Sequence, residues 1–182
     1  MMKQFRVSTK IIFLSVILLI FIGLVGGVGI RMNRRANADM DAMLQEQLLP
    51  VLLLEDTRAL VNLNEADLLH LLLMPEDQTL VQDKLSAINK RATLMTANWS
   101  NYRNTALDEV ERSLSDELHA SLEVYGKKRD LILSALRKGD HADAMKAFAE
   151  TTIMRDQVQE GLLSLTEHKK EVASLLRSEE RR

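Results

Sequence analysis

Two arginines interrupt apolar stripes in this sequence at places where a charge has to be answered. Arg58 falls between Leu54 and Val61, and Arg155 between Phe148 and Leu162, in segments whose apolar residues otherwise recur at helical spacing. A guanidinium on the inward edge of a helix is costly to bury alone, and its planar fork of donors suits a carboxylate. Asn62, Tyr125, Thr151 and Thr152 add hydrogen-bonding groups nearby, together with Glu55, Glu65 and Arg91. Arg58, Asn62, Tyr125, Thr151, Thr152 and Arg155 therefore form the candidate ligand-binding set, and the chemistry they suit is noncovalent capture of a small anion. The plain structural alternative is that the arginines snorkel from the stripe edges to water and pair with neighbouring glutamates.

Catalysis has no comparable set. No nucleophile beside a base and no paired acid and base stands out, so no enzyme is expected. The histidines, His70, His119, His141 and His168, form neither HExxH nor His-x3-His, and no metal or other cofactor is expected. His70 and His141, with Asp140 or Asp143, mark the one place where a metal was worth weighing. Cysteine is absent, which excludes a disulfide framework and fits either redox compartment. A formal net charge of −2 gives no basic excess, so nucleic acid is not an expected partner.

The elements that must position the candidate residues begin with an uncharged run, IIFLSVILLIFIGLVGGVGI, at residues 11–30. At a helical rise of about 1.5 Å per residue it matches the roughly 30 Å hydrocarbon core of a bilayer. A cleaved leader is the competing reading, from the basic start Lys3, Arg6 and Lys10 and the small residues of Ala36-Asn37-Ala38. The run is too long for a leader's apolar region, however, and Arg34 and Arg35 stand just before the supposed cut. Lys3, Arg6 and Lys10 on one side balance Arg31, Arg34 and Arg35 on the other, so the positive-inside rule does not decide orientation. The expected division is 1–10 N-terminus, 11–30 transmembrane helix and 31–182 one folded domain.

Aromatics make up only 4% of the chain, and there are 7 Gly and 2 Pro, so the vocabulary is that of helices. Each breaker then reads as punctuation. Pro75, with Glu76 and Asp77, suits the first turn of a new helix. Asn104 and Thr105 read as a stop and cap before the acidic turn Asp108, Glu109 and Glu111. Lys138-Gly139-Asp140 reads as a helix end, a left-handed glycine and a new cap. Pro50 predicts a kink or a one-turn irregularity.

These marks give helices at about 31–73, 76–104, 107–138 and 140–182, each with one apolar stripe: for example Leu44, Leu48, Val51, Leu54 and Val61 in the first, and Leu107, Val110, Leu114 and Leu118 in the third. The fold class is all-α, an antiparallel up-down four-helix bundle whose first helix continues from the transmembrane helix. Arg58 and Arg155 lie equally far from residues 73 and 140, which predicts one level in the bundle, shared with Tyr125 and Arg91. The first and last helices are equally long, about 65 Å at the helical rise, so Arg182 should return to the membrane surface and a second span should follow. Two long stems and the Gly23-xxx-Gly27 face of the span predict a homodimer.

In order, FRVSTKIIFL, QLLPVLLLEDTRALV, WSNYRNTALDEVERSL and VYGKKRDLILSALRKGDHADAMKAF resemble the four-helix-bundle sensor module of methyl-accepting chemotaxis proteins. The resemblance covers nearly the whole chain. It implies a bacterial inner-membrane protein with its N-terminus cytoplasmic and its bundle periplasmic, sensing a small solute and passing the signal to a cytoplasmic domain. It also implies that Arg58, from the first bundle helix, and Thr151, Thr152 and Arg155, from the last, hold the carboxylates of an organic acid or amino acid. The same module sits on histidine kinases and diguanylate cyclases, and an interaction bundle that reads a periplasmic binding protein is a further alternative.

Overall fold

The structure, a computed structural model, describes residues 7–74, 78–105 and 107–179. The elements are α1 (Val7–Met43), a π-helical turn (Leu44–Leu48), α2 (Leu49–Leu73), α3 (Gln78–Arg103), α4 (Glu109–Arg137) and α5 (His141–Glu179), and no strand occurs among the described residues. The chain divides into two units, Met1–Leu44 and Gln45–Arg182.

The first unit is an apolar helix. Its stretch Ile12–Ala38 has a mean hydropathy of 2.7 and none of it is buried. A core helix would hide these side chains, whereas here Phe13, Leu14 and Leu19 all stand open. Such a surface is unfavourable in water and favourable in hydrocarbon, and the helix fits a single membrane span.

The second unit is the bundle. α2 packs along α3 on one side and α5 on the other, and α4 lies along most of its length against α5. α3 and α4 follow each other in sequence, but their backbones keep farther apart and meet through long side chains such as Trp99 with His119 and Arg103 with Asp116. Gly161 on α5 explains part of the close α4/α5 approach, because a Cβ there would come within 3.1 Å of Leu118 Cδ1. The end of α5 returns beside the start of α2, where Lys170 Nζ stands 3.5 Å from Glu55 Oε1.

Local chemistry explains the joints. The π-helical turn immediately precedes Pro50, which has no N–H for the carbonyl one turn back and crowds it, so the irregularity expected at Pro50 takes this form. At the α4/α5 joint Gly139 has φ +76°, its N–H donates to Leu136 O at 3.1 Å, and Asp140 N–H donates to Ala135 O at 3.0 Å, which together close a Schellman motif. Asp140 Oδ1 then accepts from Asp143 N–H at 3.0 Å and caps α5. The cap of α4 differs from the expectation at Asn104 and Thr105. Asp108 fills that place, accepting from Glu111 N–H while Glu111 reaches back to Asp108 N–H, because only this reciprocal pair satisfies two orphan donors at once. Pro75, Glu76, Asp77 and Arg182 lie outside the described residues.

Two apolar clusters fill the bundle. One holds Leu54, Val61, Met95, Tyr125, Val158 and Leu162 among others, and the second holds Leu68, Leu71, Ile88, Ile132 and Ala144 among others. Leu44, Leu48 and Val110, read as stripe residues, are exposed at 45%, 46% and 52%, so none of the three joins the core. For Leu44 and Leu48 the reason is the π-helical turn, which interrupts the 3.6-residue period that placed them on the inner face.

Candidate functional site

A polar layer separates the two apolar clusters. On α2 it comprises Asn64, Glu65 and Asp67, between Val61 of one cluster and Leu68 of the other. Arg91 lies between Ile88 and Met95 on α3, and Thr151 and Arg155 lie between Ala144 and Val158 on α5. An i, i+3, i+4 pattern aims all of them inward just as it aims the leucines.

Half of this layer is tightly paired. Asp67 accepts from both Lys84 Nζ and Arg91 Nη2, and Arg91 Nε donates to Asn64 Oδ1 at 2.8 Å. Burial would push the Asp67 carboxyl up, but the hydrogen bonds from Lys84 and Arg91 outweigh it and hold the group below its usual range.

The other half is incompletely paired. Arg155 Nη1 stands 3.4 Å from Glu65 Oε1, while its Nη2 and Nε turn to its sequence neighbour Asp156 at 2.6 and 3.0 Å. Glu65 Oε2 is buried with no partner. Burial lifts the Glu65 carboxyl above its usual range; Arg155 opposes this and Asp156 adds to it. Tyr125 is fully buried and its hydroxyl also lacks a partner. Burial, reinforced by Glu65 and opposed by Arg129, Arg155 and Arg91, keeps that hydroxyl protonated far into the alkaline range.

Of the candidate residues, Arg58 and Asn62 are brought together by Gln159. Arg58 Nε donates to Gln159 Oε1 at 3.2 Å, and Gln159 Nε2 donates to Asn62 Oδ1 at 3.0 Å. Arg58 also meets Glu55 at 3.3 Å. Thr151 is buried, its hydroxyl donating to Ala147 O at 2.7 Å, and Thr152 Oγ1 is 3.4 Å from Phe148 O. The single level expected for Arg58 and Arg155 is not what the fold makes. Arg58 pairs with residue 159 and Arg155 with residue 65, so the two arginines are offset along the α2/α5 seam by about 6–10 Å of helical rise. Counting from the helix ends assumed that residues 73 and 140 face each other, whereas α5 extends beyond α2 at that end of the bundle. Arg155, Tyr125 and Glu65 are close enough to perturb one another electrostatically; Arg58 and Asn62 form a second group nearer the start of α2.

A second buried polar cluster went unread in the sequence. Glu111 is 2% exposed and fully engaged: Lys169 Nζ lies 2.8 Å and Tyr102 Oη 3.2 Å from Oε1, and Asp108 N–H donates to Oε2 at 3.1 Å. Asp108 in turn meets His168 Nε2 at 2.8 Å. The backbone N–H of Glu111 first, and then His168, hold the Asp108 carboxyl below its usual range. The Asp-x-x-Glu spacing at 108 and 111 was the available signal. Nothing local announced Lys169, which arrives from α5. Among the described residues no group of three or more acidic, histidine or cysteine side chains is placed to hold a metal.

A layered helical bundle that follows an apolar helix defines a class of sensor architecture, and comparison with known families names it. The family model described as a four helix bundle sensory module for signal transduction matches residues 4–181, and the chain belongs to that family. It is a sensory module of the chemotaxis signal-transduction type. Neither the search of curated proteins nor the search of solved structures returned a match.

Proposed function

We propose that this chain is the extracytoplasmic sensor of a membrane-anchored receptor, with an N-terminal span in the cytoplasmic membrane and a bundle that binds a small organic or amino acid at the α2/α5 seam. The observation that carries the reading is the incomplete pairing of Arg155 with Glu65. Arg155 meets Glu65 only at 3.4 Å through Nη1 and turns Nη2 and Nε to the exposed Asp156, a partner that an incoming carboxylate can replace. An incoming carboxylate offers Arg155 a bidentate partner, with Thr151, Thr152 and Tyr125 supplying neutral groups beside it. Arg58 and Asn62 form the adjoining part of the seam, where Arg58 exchanges Glu55 for the ligand.

The receptor works as a homodimer. Leu52, Ala59, Leu63, Ala66 and Leu73 form an exposed apolar line on α2, with Leu52, Leu63 and Leu73 at 55%, 51% and 65%. Their 3, 4 and 7-residue spacing suits the same helix of a second copy, and Glu55, Arg58 and Asn62 flank that line. Ligand binding then biases α5 against α2, and the signal is limited to the differential affinity for the two arrangements, a few kcal/mol.

Thermal melting of the detergent-solubilised chain against a panel of organic acids and amino acids tests this. At a hundredfold excess over Kd a genuine ligand should raise the Tm by roughly 5–10 °C. The shift should vanish in Arg155→Ala and shrink in Arg58→Ala. If no anion stabilises the chain, the binding reading is wrong.

A further inference from the structure

The face of the bundle opposite the α2/α5 seam carries a groove of its own. It lies between α3 and α4, has a volume of about 410 Å³, and is lined by Met95 and Trp99 from α3 and by His119, Tyr125, Gly126 and Arg129 from α4 among others. Pockets of roughly 300–1,000 Å³ hold small organic ligands, and this one is at the lower end of that range.

Two features of the lining bear on what it could hold. Trp99 Nε1 donates to His119 Nδ1 at 3.1 Å, and the two ring planes differ by only 12° with centroids 6.4 Å apart, so the pair forms a nearly flat aromatic panel bridging the two helices. Gly126 sits in the interior of α4, where glycine weakens a helix, yet a Cβ there would meet nothing within 4 Å. Its counterpart Gly161 is required by close contact with Leu118; Gly126 is not, and what its missing side chain provides is room in the groove. Tyr125 lies beneath the groove, wholly buried. The charged lining residues are balanced, Lys127 and Arg129 against Glu123 and Asp130, so the groove does not select for charge.

We infer that the α3/α4 groove is a second small-molecule site, taking an uncharged planar aromatic or heteroaromatic compound with its ring against the Trp99/His119 panel. It is separate from the anion site proposed at the α2/α5 seam. Trp99 is the sole tryptophan of the chain, so one indole N–H resonance reports on the groove.

The test is titration of the nitrogen-15-labelled full chain in detergent with benzamide and with adenine. A saturable shift of the Trp99 indole signal is expected. In Gly126→Leu the shift should be lost, and Gly126→Ala, the smaller intrusion, should give an intermediate loss with helix content and Tm at least at the wild-type level. Arg58→Ala, which addresses the seam on the opposite face, should leave the shift intact. Absence of a saturable shift in the wild-type chain at millimolar probe, or the same binding in a folded Gly126→Leu protein, overturns the inference.

Discussion

The bundle contains two buried acidic residues in very different company. Glu111 has all its acceptor needs met from three helices, by Tyr102 of α3, by the Asp108 amide at the start of α4 and by Lys169 of α5. Glu65 has one distant guanidinium and one empty oxygen. A buried carboxylate that is fully paired ties the fold together, whereas one left short raises the energy of the state it sits in. The contrast separates a structural knot from a place prepared to change, and it locates the change in the middle of α5 rather than at its end.

The same substitution at both positions puts that contrast to its severest test. Glu111→Gln removes the negative charge opposite the buried Lys169 ammonium and should cost about 3–5 kcal/mol, seen as a large fall in Tm by circular dichroism. Glu65→Gln should lie within about 1 kcal/mol of wild type, because Arg155 keeps Asp156 and an unsatisfied charge is removed. Similar losses at both sites would erase the distinction.

The tyrosines give the next largest effect. Tyr102→Phe deletes a hydrogen bond to a carboxylate and should cost about 1.5–3 kcal/mol, while Tyr125→Phe deletes a hydroxyl with no partner and should be neutral or slightly stabilising.

Acid behaviour divides the layer itself. Asp67 has a lowered folded pKa, so its pairing stabilises above the unfolded carboxylate value near 4 and is lost as pH falls through the lower folded value. The Tm difference between wild type and Asp67→Asn should be full at neutral pH and shrink below about pH 4. Glu65 runs the opposite way. Its folded pKa is raised, so its ionised form opposes folding above that value, and its burden on stability lifts as pH falls from the folded value to the unfolded one. Protonated Glu65 also ceases to repel an anion at Arg155. Anion affinity measured by calorimetry should therefore tighten as pH falls through the raised folded value of Glu65, and Glu65→Gln should flatten that profile, the smallest of these effects.

What could be read along the chain was whatever a few neighbouring residues settle among themselves. Lys138-Gly139-Asp140 announced its joint because a left-handed residue tolerates glycine best and an aspartate caps the next turn, and both devices close within six residues. The apolar run was equally plain, since length and hydropathy need no partner. The candidate set was legible only as residue types on inner faces. Arg155 was recognisable as a charge needing an answer, but whether Glu55, Glu65 or Asp156 gives that answer depends on how far α5 slides along α2.

Residue order, through the 3.6-residue period, the breakers and the caps, was enough to establish an all-helical chain with an apolar first helix and an antiparallel four-helix bundle. Axial register, the choice of partner for each buried charge and the groove between α3 and α4 emerged only when the helices packed together. Those features come from side chains far apart along the chain filling one another's space, and local spacing carries no measure of that fit.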